Sequence, residues 1–180
     1  MGIYEIRIHG RGGQGVRMTA RILGRAAFLS GLQTQDFAIY GSERRGAPLA
    51  SFCRISKEAI GTRGYVFAPD FVILLDPTLD PEVVSAGLKK DGFILINSEK
   101  KLSGFAGLKT HYIDATGIAM KALGKPIPNV AVLGAFLKLT EMFPAGSLEK
   151  AIKEELEEAG HGNMVESNIS ASRLCWRNVK

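Results

Sequence analysis

The sequence predicts an α/β fold: a single layered domain over residues 1–180, with a largely parallel or mixed central sheet flanked by helices and a helical C-terminal third. Three observations predict it. A β-branched run, Ile6-Arg7-Ile8-His9, enters a glycine cluster and leaves it at Val16 with helical periodicity. Two short apolar runs, residues 71–75 and 93–96, have the composition of strands covered on both faces. Beyond Ala115 the apolar positions repeat at helical spacing between Gly, Pro and Asn punctuation. Strand and helix signals alternating in this way point to layered α/β architecture.

Taken in order, the first strand ends at Gly10, and Val16, Ala20, Leu23 and Ala27 mark a helix stopped by Gly31. Residues 35–40 read as a second strand, residues 41–48 as a polar loop, and residues 49–55 as a third strand with one polar face. Asp76-Pro77 stops the apolar run at 71–75, and Asp80 caps a helix that has Pro81 at its first position. Residues 93–96 and 110–113 supply two more strands. Helices follow from Ala115 to Leu123, from Val130 to Met142 with Asn129 as cap, and from Leu148 to Ala159 with Ser147 as cap. A final helix runs through Trp176, with Asn163 and Glu166 arranged as a capping box.

At 180 residues the chain can bury a core without staples. No apolar run approaches the ~20 residues that span a bilayer, and the first residues lack a signal-peptide layout. The expected location is cytoplasmic, with no membrane partner. Cys53 and Cys175 belong to no Cys-x-x-Cys unit, so this chain by itself is expected to hold neither a metal nor an iron–sulfur cluster. Buried thiols in a reducing compartment are the expectation for both.

Charge is uneven. Residues 1–65 carry ten Lys or Arg against four acids, and the remainder thirteen against fourteen. The basic excess therefore surrounds the glycine turn and favours an anionic partner there. Arg17, Arg21 and Arg25 share one helix face, where either an acidic partner or solvent receives them. Arginine in a first turn opposes the helix dipole by ~0.3–1 kcal/mol, which a bound anion would offset. The Glu154-Glu155 and Glu157-Glu158 pairs are expected on the exposed side of their helix.

Gly10, Gly12 and Gly15 satisfy Gly-x-Gly-x-x-Gly between strand and helix, as a dinucleotide site would. The required acid at the end of the second strand is misplaced, since Asp36 comes near that strand's beginning. His9, His111 and His161 show no ligand spacing, Ser42 is in no nucleophile elbow, and the basic third lacks the interleaved aromatics of a nucleic-acid binder. These patterns fit a binding or assembly component better than a self-sufficient enzyme.

Three segments together carry a family resemblance: Gly10-Arg11-Gly12-Gly13-Gln14-Gly15, then Tyr40-Gly41-Ser42-Glu43-Arg44-Arg45-Gly46-Ala47-Pro48, then Pro128-Asn129 ahead of Leu133-Gly134-Ala135. In order and spacing along nearly the whole chain they resemble the gamma subunits of 2-oxoacid:ferredoxin oxidoreductases, in the pyruvate or branched-chain form. The resemblance implies a complex that decarboxylates a 2-oxoacid to acyl-CoA and passes electrons to ferredoxin. It implies alpha, beta and delta partner subunits, with thiamine diphosphate, Mg and iron–sulfur clusters on those partners and coenzyme A as co-substrate. The gamma chain itself would be non-catalytic, and in isolation it could form a homodimer. Residues 10–15, Arg17 and the basic residues 40–46 would then lie at a subunit contact or near coenzyme A. A free-standing nucleotide-binding enzyme using Gly10, Gly12 and Gly15 is the competing reading.

Overall fold

Strand β1 (Tyr4–Arg11) lies inside the sheet, and the remaining strands are laid down on its two edges. A computed structural model describes residues 2–38 and 46–180. On one edge, β3 (Pro48–Ser56) pairs antiparallel with β1, placing Ser51 opposite Ile8, and β2 (Gln33–Ala38) pairs antiparallel with β3. On the other edge β4 (Phe71–Leu74), β5 (Phe93–Asn97) and β6 (Thr110–Ile113) follow in parallel. The order β2-β3-β1-β4-β5-β6 makes the sheet mixed. Helices α1 (Val16–Leu29), α2 (Pro81–Ser85), α3 (Ala115–Leu123), α4 (Ala131–Thr140), α5 (Ala145–Glu158) and α6 (Val165–Asn178) complete the single α/β domain.

Side chains alternate across each strand, so Ile6 and Ile8 face one way while Arg7 and His9 face the other. The first face is covered deeply: Ile6, Ile8, Ile73 and Leu95 pack against residues of α1, α4, α5 and α6 in one continuous core. Phe136 of α4, fully buried, meets the rings of Phe71 and Phe93. The second face carries a smaller cluster around Val72, Leu74, Ile94 and Ile96, with Val84 of α2 and Phe105 against it.

Several local expectations are corrected. The second strand begins at Gln33, not at residue 35, which makes Asp36 its fourth residue. Residues 39–45, including Tyr40, Gly41, Ser42, Glu43, Arg44 and Arg45, lie outside the described residues. Asn129 does not cap α4; it packs on Gly15, and the Pro128 carbonyl accepts from Val132 N at 3.0 Å instead. Ser147 sits inside α5, because extended Pro144 starts that helix three residues earlier. Asn163 belongs to a short 3-10 turn, and α6 starts after Met164 without a side-chain cap. Asp80, in contrast, does cap α2 through Glu82 N at 3.0 Å.

The acidic pairs of α5 are not all on its exposed side. Leu148, Ala151, Ile152, Glu155 and Leu156 form one buried stripe, so Glu155 is carried into the contact with α1. Its carboxylate takes Arg21 Nε at 2.6 Å and Arg25 Nε at 2.5 Å. Arg25 also reaches Glu154 and Glu158. Hydrogen bonding to Glu158, with further help from Glu154 and the charge of Glu155, outweighs burial and raises the Arg25 pKa above its ordinary value. The acidic partner of this part of the basic helix face is thus another helix of the same chain.

Candidate functional site

β1 and β4 run parallel and end together, so the turn after β1 meets the loop after β4 at the carboxyl ends of the parallel strands. This is the end of the sheet where α/β folds place ligands. Leu75 N donates to His9 O at 2.8 Å, which fixes the two ends side by side. Gly10 has no space for a side chain: a Cβ would lie 2.7 Å from Val16 Cγ2 and 3.3 Å from Leu75 Cβ. Gly15 has φ +76°, and a Cβ there would be 2.3 Å from Asn129 Nδ2. Glycine is therefore demanded at both ends by the chain's own packing and by a left-handed backbone.

Side chains brace the turn from within. Gln14 accepts from Arg11 N at 2.8 Å and donates to Asp76 Oδ2 at 2.8 Å. Arg11 folds back, with Nε 3.3 Å from Asp76 Oδ2, Nη2 donating to Thr78 Oγ1 at 2.9 Å and Nη1 to Gly46 O at 3.2 Å. Burial pushes the Asp76 carboxyl up, but hydrogen bonds from Thr78 and Gln14, with the Arg11 charge, outweigh it and hold it below its ordinary value. Gly12 N donates to Ala47 O and Gly46 N to Gly12 O, at 2.9 and 3.1 Å, so the start of β3 is stitched to the turn.

The helix beyond presents the anion-ready feature. α1 begins at left-handed Gly15 with no side-chain cap and no acid in its first turn, and exposed Arg17 stands there. Backbone amides at such a helix start favour negative charge. Beside them lies a cavity of about 410 Å³ lined by Gly15, Arg17, Met18, Asp36, Phe37 and Ser51. Ser51 Oγ is buried there with no partner among the described residues. Burial raises the Asp36 carboxyl against the pull of Arg21 and Arg25. A Cβ on Gly24 would lie 3.3 Å from that carboxyl, so the acid sits nine residues down α1, ~13 Å of helix from Gly15. That is the wrong place for the ribose contact of a dinucleotide fold.

Of the predicted site residues, Gly10, Arg11, Gly12, Gly13, Gln14 and Gly15 form the turn, Arg17 stands beside it, and Gly46 is bonded to it. The structure adds Asp76, Thr78, Ser51 and Asn129, which the sequence reading did not place in the site. Asp76 carried a usable signal, since it directly follows the apolar strand parallel to β1. Elsewhere, His111 Nδ1 lies 3.1 Å from Lys180 O, and burial raises both thiols, Cys175 to about 12. Among the described residues no three His, Cys, Asp or Glu side chains converge as metal ligands. No helix there is long and apolar enough to cross a membrane.

Fold and site define an α/β domain whose glycine turn is braced by its own side chains and whose first helix starts without a side-chain cap. The sequence pattern of the pyruvate ferredoxin/flavodoxin oxidoreductase family matches residues 5–175, and the chain belongs to that family. It is 44% identical to pyruvate synthase subunit PorC of Methanothermobacter marburgensis, over 99% of this chain and 98% of that one. It is equally 44% identical to the common gamma subunit of the pyruvate/ketoisovalerate oxidoreductases of Pyrococcus abyssi, with 99% and 98% coverage. The crystal structure of the PORC subunit of Thermotoga maritima pyruvate oxidoreductase superposes with a TM-score of 0.85 at 33% identity, covering 100% and 98%. The gamma-subunit resemblance is borne out along the whole chain, and a free-standing nucleotide enzyme is not favoured.

Proposed function

We propose that this chain supports assembly of a pyruvate- or branched-chain-type 2-oxoacid:ferredoxin oxidoreductase as its gamma subunit and lines the approach of coenzyme A. The observation that carries the assembly role is end-to-end likeness, at 44% identity, to chains that are themselves subunits. In such a complex the 2-oxoacid is decarboxylated and oxidised, its acyl group passes to coenzyme A, and the electrons pass to ferredoxin. Thiamine diphosphate, Mg and the iron–sulfur clusters belong, in this reading, to alpha, beta and delta partners. This chain contributes no reacting group.

The coenzyme A role is supported by the uncapped start of α1, by Arg17, and by the unpartnered Ser51 hydroxyl in the adjoining cavity. Coenzyme A is a polyanion, and amides aimed from a helix start with an arginine beside them suit its phosphates. Arg11 acts one step back, holding the turn through Asp76 and Thr78. Arg44 and Arg45 add two further cations to the basic first third of the sequence.

A tagged full-length chain expressed in its native cell recovers the partner subunits; repeated failure to do so overturns the assembly role. In the assembled enzyme, Arg17→Ala or Arg44→Ala raises the KM for coenzyme A about 5- to 30-fold, as loss of a charged contact worth ~1–2 kcal/mol requires. The KM for the 2-oxoacid stays unchanged. An unaltered coenzyme A dependence removes that part of the reading and leaves assembly standing.

A further inference from the structure

The face of the sheet opposite α1 holds a second cavity, of about 490 Å³, with Arg7, His9 and Phe52 among the residues lining it. Arg7 is only 7% exposed, and its guanidinium donates to three carbonyls, Val66 O, Val84 O and Ala86 O, at 3.4, 3.0 and 2.6 Å. No carboxylate among the described residues pairs with it. Its Nε is buried without a partner among the described residues. His9, also 7% exposed, lines the same cavity with Nε2 buried and unpartnered. Burial, aided by the Arg7 charge, keeps this imidazole neutral, with its pKa lowered to about 4. The cavity thus has a fixed positive charge and two unsatisfied nitrogens in a largely apolar wall, to which Asp80 adds a carboxylate that makes no ion pair with Arg7.

Its rim is mostly apolar, with Asp80 as its one acid among the described residues, and stands in water. Tyr65, Phe67 and Val83 all line the cavity and are 51%, 77% and 60% exposed. A grouping of large exposed apolar side chains around a pocket marks an interaction surface. We infer that this cavity is a socket for a different subunit of the same complex, which inserts an apolar side chain accompanied by a hydrogen-bond acceptor, a carbonyl or carboxylate oxygen, facing Arg7 and His9. The inference rests on the gamma-subunit reading.

Two observations select that occupant. A small molecule within the cavity would leave the outer surfaces of Phe67 and Val83 in water, whereas a protein surface covers rim and interior together. The relatives that this chain matches end to end are themselves named as subunits, and Arg7 Nε and His9 Nε2 call for an acceptor that no described residue of this chain supplies. A partner surface with an acidic or carbonyl-bearing apolar projection satisfies both faces.

The test is co-expression of the full-length tagged chain with its partner subunits. In the double variant Phe67→Ser with Val83→Ser, the isolated chain keeps its melting temperature and its mass in solution, while partner recovery falls at least tenfold. His9→Phe keeps an aromatic ring, removes the ring nitrogens, and lowers recovery by a smaller factor. In the wild-type complex, hydroxyl-radical labelling of Tyr65 and Phe67 drops several-fold relative to the free chain. Undiminished recovery with undiminished labelling overturns the socket while the subunit reading stands. Loss of a homodimer in the double variant, with hetero-assembly intact, assigns the face to a second copy and overturns it as well. A wild-type chain that recovers no partners overturns the subunit reading, and the socket with it.

Discussion

On one face of the sheet, residues of α1, α4, α5 and α6 close over Ile6, Ile8, Ile73 and Leu95, and even the charges at that layer find partners inside the chain. Glu155, 2% exposed, lies between Arg21 and Arg25. On the other face a five-residue helix and a short 3-10 turn cover Val72, Leu74, Ile94 and Ile96, and next to them Arg7 and His9 have nitrogens with no partner among the described residues. The first face is closed by intramolecular packing except beside the start of α1, where a cavity holds the buried Ser51 hydroxyl. The second is finished only where β4 and β5 lie, and the β1–β3 portion is lined with groups that need something from outside. One sheet therefore carries a thick stabilising layer, open only at the start of α1, and a thin layer that is open over β1 and β3.

That contrast can be broken at several points. The largest effect is expected from Phe136→Ala in the thick layer, which removes a fully buried ring touching Phe71 and Phe93. Chemical denaturation should show a loss of about 3–5 kcal/mol.

The next concerns His9. Its imidazole takes a proton near pH 6.5 when unfolded and near 4 in the folded chain. Between those values the unfolded chain binds more protons, so stability is complete above pH 6.5 and falls as pH drops toward 4. The loss approaches about 3 kcal/mol by pH 4. His9→Leu flattens this acid limb, as urea midpoints measured across pH 4–7 will reveal; an unchanged limb contradicts the burial argument.

Glu155→Gln is expected to cost less, about 1–3 kcal/mol, because Arg21 is half exposed and water relieves part of its loss. The cost should shrink for Arg21→Ala in the same background, since the stranded charge is then gone. The smallest effect belongs to the thin layer: Phe67→Ser should leave the isolated chain within about 0.5 kcal/mol of wild type, because that ring is 77% exposed. A large loss there would show that the rim supports the fold instead of awaiting a partner.

Legibility in the sequence followed the range of the forces involved. Strand runs at 71–75 and 93–96 and the Asp80-Pro81 helix start depend on neighbours in sequence, and each was readable. Asn129, Ser147 and Asn163 have the chemistry of caps, but tertiary contacts or an earlier helix start gave them other positions; Asn129 went to Gly15. Glu155 was readable in principle, since it lies seven residues after Leu148 on the apolar stripe. Its pairing with Arg21 and Arg25 was not, because no local rule joins residues more than a hundred apart. The glycine turn was found from its spacing, while its inward bracing by Asp76 and Thr78 depends on β4 lying beside β1.

The arginine face of α1 is completed by carboxylates that lie 129 to 137 residues further along the chain. At ~5–20 residues per second of synthesis, that separation corresponds to on the order of ten seconds or more. During that interval the nascent chain displays a basic helix beside an apolar stripe, with its acidic complement not yet made. Helix α5 therefore supplies a late closure of the nascent protein, and a chain ending before residue 145 would leave Arg21 and Arg25 without these carboxylates.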